Sequence, residues 1–596
     1  MVQHDRPRGI LLHQLDVPIG MTDTLPFLRA LTAYQTDVLG WDDLAYHYII
    51  DETGMLYEGR LGGPTSTVTR LAGGGTAVHI ALIGNLEQPP TEAAQETLVQ
   101  LLAWLGQAYN IPPTGSHTIV LDEQLLPRDN IANHNDVAVE APDPGEPMRS
   151  LLPSFRSRAD EATVRSRWYF AEGNVAAYNQ RVALFNPGQQ AATVRILLQP
   201  GDATGPFTKT VALPAATRSD VLFNTLLTGT TSLPSVIEAS TPIIVERVLE
   251  VPSDASANPG ITELSRVWYF AEGSTADTFQ TYLALFNPHD TPVEATVTYM
   301  KGDGIQAEQQ VGLPPGQRVV ITVRDVLPDV GFGARVVANQ PIAAERTMRF
   351  GSDLTGLHTS AGIGQLSRRW YFAEGTTEDP FQMRLLLLNP NRQPANATVN
   401  FMTPDGTSLT RRYIIPPTTR LVIDVNEVVP TLGVATEIET DRPIAAERAL
   451  YFIPEGDQLP EPDPGSVLTD TATLPPASNI PLVGTASPGM ITPAFTWHFA
   501  EGRTINGLQF LLLGNPSPNQ ALVQVDFFLF DGSVQTQELV MPARSRYTIA
   551  VHDIYPGQAT VATTVRSTQP IVAERSLFPR GAERNGITTT PGVPGD

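Results

Sequence analysis

The phrase WYFAEG at residues 168–173 organises most of this chain, because it returns three more times at a regular interval. It recurs as WYFAEG at 268–273 and 370–375, and as WHFAEG at 497–502. Each copy is followed 18 or 19 residues later by Asn-Pro. Each also ends in a PI..ER phrase, whose arginine lies 78 or 79 residues after the tryptophan. Such fixed spacing indicates one structural unit copied four times.

Within each unit, apolar and polar residues alternate with a period of two, as in ATVTYM at 295–300 and RVVITV at 318–323. β-branched and aromatic residues dominate these segments, and Gly, Pro, Asn and Asp separate them, which is typical of short strands. About seven strands in some 80–85 residues fit an antiparallel β-sandwich of immunoglobulin-like type. The predicted repeats cover 166–250, 266–350, 368–453 and 495–580, with a Pro-rich linker at 454–490 and a flexible tail at 581–596.

Charged residues recur inside the repeats: Glu172 in FAEG, and Glu246 and Arg247 in PI..ER, are the first set. The pattern predicts an ion pair between the first and last strands of each repeat. An alternative is a carbohydrate-binding face that uses Trp168, Trp268, Trp370 and Trp497 as stacking platforms. A tryptophan at the start of a strand more often belongs to the core.

Composition excludes several classes of function. The formal net charge of −23 argues against nucleic acid and anionic lipid as partners, because both bind through Lys and Arg. Cysteine is absent, so any metal must use His, Asp or Glu. No run approaches the roughly 20 apolar residues of a membrane span. The opening MVQHDRPRGILLHQ lacks the apolar region of a signal peptide, which leaves the export route open.

The first 150 residues have a different pattern. RGILLH at 8–13 and AVHIALIGN at 77–85 are predicted strands, and AYHYIIDETGMLYEGR at 45–60 is a predicted hairpin. Helices are predicted to begin near Thr24 and Thr91. Strands alternating with helices predict a mixed α/β domain over 1–150.

Three residues of this domain have the chemistry of a metal site. His13 ends the first strand, and His134 and Asp143 follow the second helix. Two neutral imidazoles and one carboxylate suit catalytic zinc and leave a fourth position for water. The alternative is that the His/Asp pair is solvated or forms a local turn. His117 is a rival for the second ligand.

Four phrases in order carry a family resemblance: RGILLH, GWDDLAYHYIIDETGMLYEGR, HIALIGNLEQPPTEAAQETLVQLLAWL and NHNDVAVEAPDPG. Together they resemble the type-2 N-acetylmuramoyl-L-alanine amidases, a family that includes peptidoglycan recognition proteins, over roughly residues 8–150. The resemblance implies that His13, His134 and Asp143 bind Zn²⁺ and that Tyr46 assists catalysis. Many members carry Lys or Thr two residues before the third ligand, where this chain has Ala141.

The resemblance therefore implies a hydrolase that cleaves the amide between N-acetylmuramic acid and L-alanine in peptidoglycan, at the cell surface or outside the cell. The repeats would anchor or space the enzyme. One alternative is a surface protein that binds muropeptides without cleaving them, and another is an adhesin. His79 and His47 are interpreted as structural, and Glu58 as a surface or substrate-contact residue. Oligomeric state stays open.

Overall fold

The computed structural model describes residues 7–17, 23–68, 77–121, 124–138, 141–201, 205–351, 354–404, 406–430, 432–452, 483–581 and 584–595. The chain divides into two compact units, residues 1–165 and 166–596. Within the described ranges, no helix is both long enough and apolar enough to span a bilayer.

The N-terminal unit is a five-stranded sheet with helices, in the strand order β3-β2-β4-β1-β7. Its strands are β1 (Gly9–Asp16), β2 (Tyr48–Ile50), β3 (Leu56–Glu58), β4 (Ala77–Gly84), β5 (Ser116–Leu121), β6 (Gln124–Asp129) and β7 (Ile131–Asn133). Its helices are α1 (Thr24–Ala33), α2 (Glu92–Tyr109), α3 (Glu146–Arg149) and α4 (Leu152–Ala162). Strands β2, β4, β1 and β7 are parallel, β3 is antiparallel, and β5 and β6 form a separate hairpin.

Sequence patterns explain these elements. The predicted hairpin forms with its turn between β2 and β3. The hydroxyl of Thr91 caps α2 by accepting a hydrogen bond from the backbone N–H of Ala94. On one face of the sheet, Leu12 and Ile80 join a core with residues of α2 and α4, including Phe155 of α4. Helix α4 is thus part of this unit, which extends beyond the predicted end at residue 150.

In its described residues, the C-terminal unit consists of β-strands with one short α-helix, α5 (Val551–Ile554), and two 3₁₀ turns, Phe223–Thr225 and Val323–Asp325. The first repeat contains β8 (Ser166–Phe170), β9 (Asn179–Asn186), β10 (Ala192–Leu198), β11 (Phe207–Leu213), β12 (Thr217–Leu222), β13 (Ser235–Ala239), β14 (Ile244–Glu250) and β15 (Ala255–Pro259). The second contains β16 (Ser265–Phe270), β17 (Gln280–Phe286), β18 (Val293–Lys301), β19 (Gly304–Leu313), β20 (Arg318–Thr322), β21 (Gly333–Phe350) and β22 (Gly356–Ala361).

The third and fourth repeats follow the same plan. The third contains β23 (Ser367–Phe372), β24 (Gln382–Asn389), β25 (Ala395–Met402), β26 (Ser408–Ile415), β27 (Thr419–Asp424), β28 (Ala435–Phe452) and β29 (Val483–Pro488). The fourth contains β30 (Ala494–Phe499), β31 (Gly507–Asn515), β32 (Ala521–Leu529), β33 (Val534–Met541), β34 (Ser545–Ala550), β35 (Val561–Gly581), β36 (Arg584–Asn585), β37 (Thr588–Pro591) and β38 (Val593–Pro594).

Each repeat is built from two antiparallel sheets. In the first repeat their orders are β11-β10-β13-β8 and β12-β9-β14-β15. In the other three, one long strand (β21, β28 or β35) takes the places of both β13 and β14 and so belongs to both sheets. The prediction of a mixed α/β domain followed by all-β sandwich repeats is confirmed.

Buried ion pairs join each repeat to the next and the last repeat to the first. They are Arg247–Glu345 (2.9 Å), Arg346–Glu447 (2.5 Å), Arg448–Glu574 (3.0 Å) and Arg575–Glu246 (2.8 Å). All eight side chains are at most 1% exposed. The four repeats therefore close into a ring.

The predicted ion pair within a repeat is wrong. The arginine instead donates to the backbone carbonyl of the FAEG glutamate in its own repeat, as from Arg346 to Glu272 at 2.8 Å. That glutamate's side chain pairs with another arginine in the following repeat, as Glu172 does with Arg318 at 3.0 Å. The repeats carry the same charged residues at equivalent positions, so pairing between neighbours satisfies each of these charges.

Four short strands meet where the repeats come together: β15, β22, β29 and β37. The Ser256 and Thr359 hydroxyl oxygens lie 3.1 Å apart, and the Thr485 hydroxyl accepts from the Thr589 N–H at 3.1 Å. The Thr588 hydroxyl accepts from the backbone N–H of Ala257 at 2.9 Å. Each repeat thus contributes one strand to the junction of all four.

These strands correct the predicted linker and tail. Residues 453–482 lie outside the described part, but Val483–Pro488 is a strand paired with β28, so an extended linker reaching residue 490 is wrong there. The predicted flexible tail is also wrong, because β36, β37 and β38 all pair within the fourth repeat. These segments are rich in Thr, Pro and Gly, as loops are. Their buried threonine hydroxyls nevertheless form hydrogen bonds with neighbouring strands, which offsets the cost of burying polar groups.

The four repeated tryptophans are core residues. Trp168, Trp268, Trp370 and Trp497 are 3%, 4%, 1% and 2% exposed. The Trp268 indole N–H donates to the carbonyl of Ile342 at 2.9 Å. A buried indole offers no face to a sugar, so the stacking-platform interpretation is wrong.

Candidate metal centre

Strand register brings the two predicted histidine ligands together. Leu12 on β1 pairs with Asn133 on β7, so the next residues, His13 and His134, emerge side by side. Their ring centroids lie 4.4 Å apart. Parallel strands ending at one edge of a sheet form a common place for ligand sites.

Asp143 reaches both imidazoles from the loop that precedes α3. One carboxylate oxygen lies 2.9 Å from Nδ1 of His13, and the other lies 2.8 Å from Nδ1 of His134. The three potential ligand atoms lie within 4.8 Å of one another, and no other such His, Asp or Glu group occurs among the described residues.

A clamp on β1 holds the Asp143 loop. The backbone N–H of Gly145 donates to Oε1 of Gln14 at 3.1 Å, and the Gln14 amide donates to the carbonyl of Asn85 at 2.8 Å. A Cβ at Gly145 would overlap the carbonyl oxygen of Leu86, so glycine permits this close approach. The DPG phrase therefore supplies a ligand and its fixed backbone.

Electrostatics favour the protonation states that metal ligands need. Burial lowers the pKa of His13 below its ordinary value, against the effect of its bond to Asp143. Burial alone would raise the pKa of Asp143, but its bonds to His13 and His134 outweigh burial and hold that pKa well below the usual range. A neutral His13 beside an ionised Asp143 suits Zn²⁺, so the donor set fits this ion.

Tyr46 lies at the edge of this cluster, with its ring centroid 5.2 Å from that of His13. Burial and then the charge of Asp143 raise the pKa of Tyr46 well above its ordinary value. Its hydroxyl therefore stays protonated at neutral pH and can donate a hydrogen bond. Ala141, two residues before Asp143, has no side-chain donor.

The other residues singled out from sequence lie apart from the cluster. His117 is on β5 and bonds through Nδ1 to the Asn130 side chain at 3.0 Å. Glu58 is exposed on β3. His47 accepts from the backbone N–H of His79 at Nδ1, and its Nε2 lies 2.9 Å from the Ser66 carbonyl oxygen.

Two contacts were missed from the sequence. His79, interpreted as structural, lies with Nδ1 2.9 Å from Nε2 of His13. Gln14 clamps the Asp143 loop. The alternation of RGILLHQ and AVHIALIGN predicts both strands, but it does not show that β1 and β4 are neighbours. That pairing brings His79 to His13.

Comparison with known families supports the resemblance. The family model described as N-acetylmuramoyl-L-alanine amidase matches residues 3–146, which include His13, His134 and Asp143. The predicted resemblance is confirmed for this segment. No curated relative matched the chain.

Solved structures similar to the chain include members of two groups. The N-acetylmuramoyl-L-alanine amidase LysC from Clostridium intestinale is 21% identical, with 26% of this chain and 85% of that chain covered and a TM-score of 0.20. Drosophila peptidoglycan recognition protein SD is 25% identical, with 26% and 81% covered and a TM-score of 0.20. Drosophila PGRP-LB is 19% identical, with 26% and 84% covered and a TM-score of 0.22.

Proposed function

We propose that the N-terminal unit is a zinc-dependent hydrolase that cleaves the amide between N-acetylmuramic acid and L-alanine in peptidoglycan. The observation that carries this proposal is the convergence of His13, His134 and Asp143 inside the segment that matches the amidase family. Two imidazoles and one carboxylate leave one coordination position open, as catalytic zinc sites do.

In this reaction water adds to the amide carbonyl, the carbon–nitrogen bond breaks, and the alanine nitrogen leaves as an amine after taking a proton. Zinc, when bound, lowers the pKa of water to about 7 and polarises a carbonyl. The residues of the chain supply the geometry: Asp143 bridges both histidines, and Gln14 fixes the loop that carries Asp143.

Tyr46 is proposed to stabilise the negative charge that develops on the carbonyl oxygen. Its raised pKa keeps the proton on the hydroxyl, which then donates a hydrogen bond to that oxygen. Removing one such donor typically lowers the rate by about 10²–10³. Because Ala141 offers no second side-chain donor, Tyr46 bears a larger share of this task.

Ala141 also favours a second function, in which the unit binds muropeptides without cleaving them. The same metal site would then recognise the substrate, while turnover stays low because the oxyanion lacks a second side-chain donor. The two functions differ in product formation.

The closed ring is proposed to be a spacer or anchor that holds the enzyme at the cell envelope, outside the cell. Its repeats are joined by buried ion pairs, so it would act as one rigid body, in contrast to four independently swinging modules. The burial of its tryptophans argues for this role over sugar stacking.

Incubating the purified full chain with peptidoglycan and zinc tests the proposed amidase activity. We expect new L-alanine amino termini and free muramic acid carboxyl groups in equal amounts, and neither with EDTA. Tyr46→Phe should release about 10²–10³-fold less product per unit time while zinc stays bound.

A wild-type protein that binds zinc and sediments with peptidoglycan, but releases no more amino termini than the EDTA control, would overturn the enzyme and support the binding function. His117→Gln serves as the matched control, because His117 lies outside the ligand cluster. Its activity should equal that of the wild type.

A further inference from the structure

We propose that His79 is a positioning residue that makes Nδ1 of His13 the metal-facing nitrogen. This inference rests on the proposed zinc site. His13 on β1 pairs with Ala81 on β4, and His79 lies two residues before Ala81 and so on the same face of the sheet. The two rings lie edge to edge and nearly parallel, with centroids 5.1 Å apart and an interplanar angle of 25°.

Both nitrogens of His13 have partners on opposite sides of the ring. Nε2 lies 2.9 Å from Nδ1 of His79, and Nδ1 lies 2.9 Å from the Asp143 carboxylate. The His13 and His79 side chains are buried, at 1% and 0% exposure. Turning the buried His13 ring would break both contacts, so this orientation is held.

With a metal ion on Nδ1, the same pair would set the position of the proton on His13. A neutral imidazole has one nitrogen that donates and one that accepts. If Nδ1 of His13 binds the metal, its proton must lie on Nε2, and Nδ1 of His79 must accept it. Partners of this kind orient a ligand and raise its basicity, and losing one typically weakens metal binding about 10–100-fold.

The backbone in turn holds His79. Its N–H donates to Nδ1 of His47, which therefore carries its own proton on Nε2 and donates it to the Ser66 carbonyl at 2.9 Å. All of these groups are buried. A chain of contacts thus runs from the backbone at Ser66 through His47 and His79 to the proposed ligand His13.

Two variants of the full chain separate positioning from packing. His79→Leu removes the acceptor, while His79→Asn keeps an amide oxygen near the place of Nδ1. Zinc dissociation constants are measured by competition with a chromophoric chelator. We expect about 10–100-fold weaker binding for His79→Leu, affinity nearer to the wild type for His79→Asn, and no change for His117→Gln.

The outcomes are distinguishable. If wild type binds zinc and His79→Leu binds it equally tightly, the positioning role is overturned but the proposed function stands. If wild type binds no zinc, the proposed function itself fails. Should His79→Leu not fold, as judged by circular dichroism of the metal-free protein, ¹⁵N NMR of histidine-labelled wild type decides. Zinc-loaded His13 protonated at Nε2 supports the proposal, and protonation at Nδ1 overturns it.

Discussion

Replacing Arg575 with methionine tests whether the repeats form a ring or an open row. Arg575 lies in the last repeat, and its guanidinium pairs with Glu246 of the first repeat at 2.8 Å. The exposed fraction is 0% for Arg575 and 1% for Glu246. The guanidinium also donates to the carbonyl of Glu501 and to the hydroxyl of Thr590.

The expected cost follows from this burial. Removing one partner of a fully buried pair leaves the other charge uncompensated, which typically destabilises a protein by about 3–5 kcal/mol. Arg575→Met should therefore cost as much as Arg346→Met, which breaks the equivalent pair between the second and third repeats. In an open row, Arg575 would have no partner repeat and its loss would cost far less.

Urea denaturation, monitored by tryptophan fluorescence, measures the free energy of unfolding of both variants. Fluorescence reports unfolding because the repeated tryptophans are buried in the folded protein. Adding Glu246→Gln to Arg575→Met should recover part of the loss, since no buried charge is then unpaired. Arg369→Met is the control: its pair with Glu439 is 58% and 55% exposed and should contribute less than about 1 kcal/mol. A ring is refuted if Arg575→Met behaves like this control while Arg346→Met does not.

Three further predictions follow from the packing. Burial, and then Arg566, lowers the pKa of His498 to about 4, so between pH 6.5 and 4 the unfolded chain binds more protons and stability falls as pH falls. His498→Tyr introduces the residue that the other three copies have at this position, and it should remove up to about 3 kcal/mol of this pH dependence of stability. Stability is measured by denaturation at pH 7 and pH 4.5. An equal loss of stability in both proteins would contradict the prediction. Gly145→Ala should lower the free energy of unfolding by about 1–3 kcal/mol, because the added Cβ overlaps the Leu86 carbonyl, and it should also weaken zinc binding. An unchanged melting temperature and zinc affinity would contradict the proposed role of Gln14 and Gly145 in holding the Asp143 loop. Ending the chain after residue 585 removes β37 and β38, so limited proteolysis should cut the ring faster, and an unchanged cleavage rate would show that these strands do not close it.

The sequence was sufficient to predict the repeats and the candidate metal-ligand cluster, because each prediction rests on a local pattern or on matching phrases. Fourfold spacing predicted the repeats, and alternation predicted their strands. His13, His134 and Asp143 followed from the chemistry of the donor set and from the family resemblance, and the structure brings all three together.

Ring closure was not predictable from the sequence, because every repeat carries the same arginine and the same glutamates. The arginine could therefore pair with a glutamate of its own repeat or with one of the next repeat. Arg247 pairs with Glu345 of the next repeat, and only the packing of whole repeats selects this partner. Residues 588–591 are predicted from the sequence to belong to a flexible tail, because TTTP shows no alternation of apolar and polar residues. Their burial depends on hydroxyl bonds to strands far away in sequence, such as Thr588 to Ala257.

His79 shows the same limit within the N-terminal unit. A histidine in an apolar strand is usually a core residue, and its role near His13 depends on which strand lies beside β1. Composition and spacing carry no information on that pairing.

The metal content of the purified full chain tests the central claim most directly. After dialysis against zinc and then against metal-free buffer, mass spectrometry of the metal should give one zinc per chain for the wild type and for His117→Gln, and none for His134→Ala. A wild type without zinc, or a His134→Ala protein that keeps one equivalent, would contradict the claim that His13, His134 and Asp143 together hold the ion.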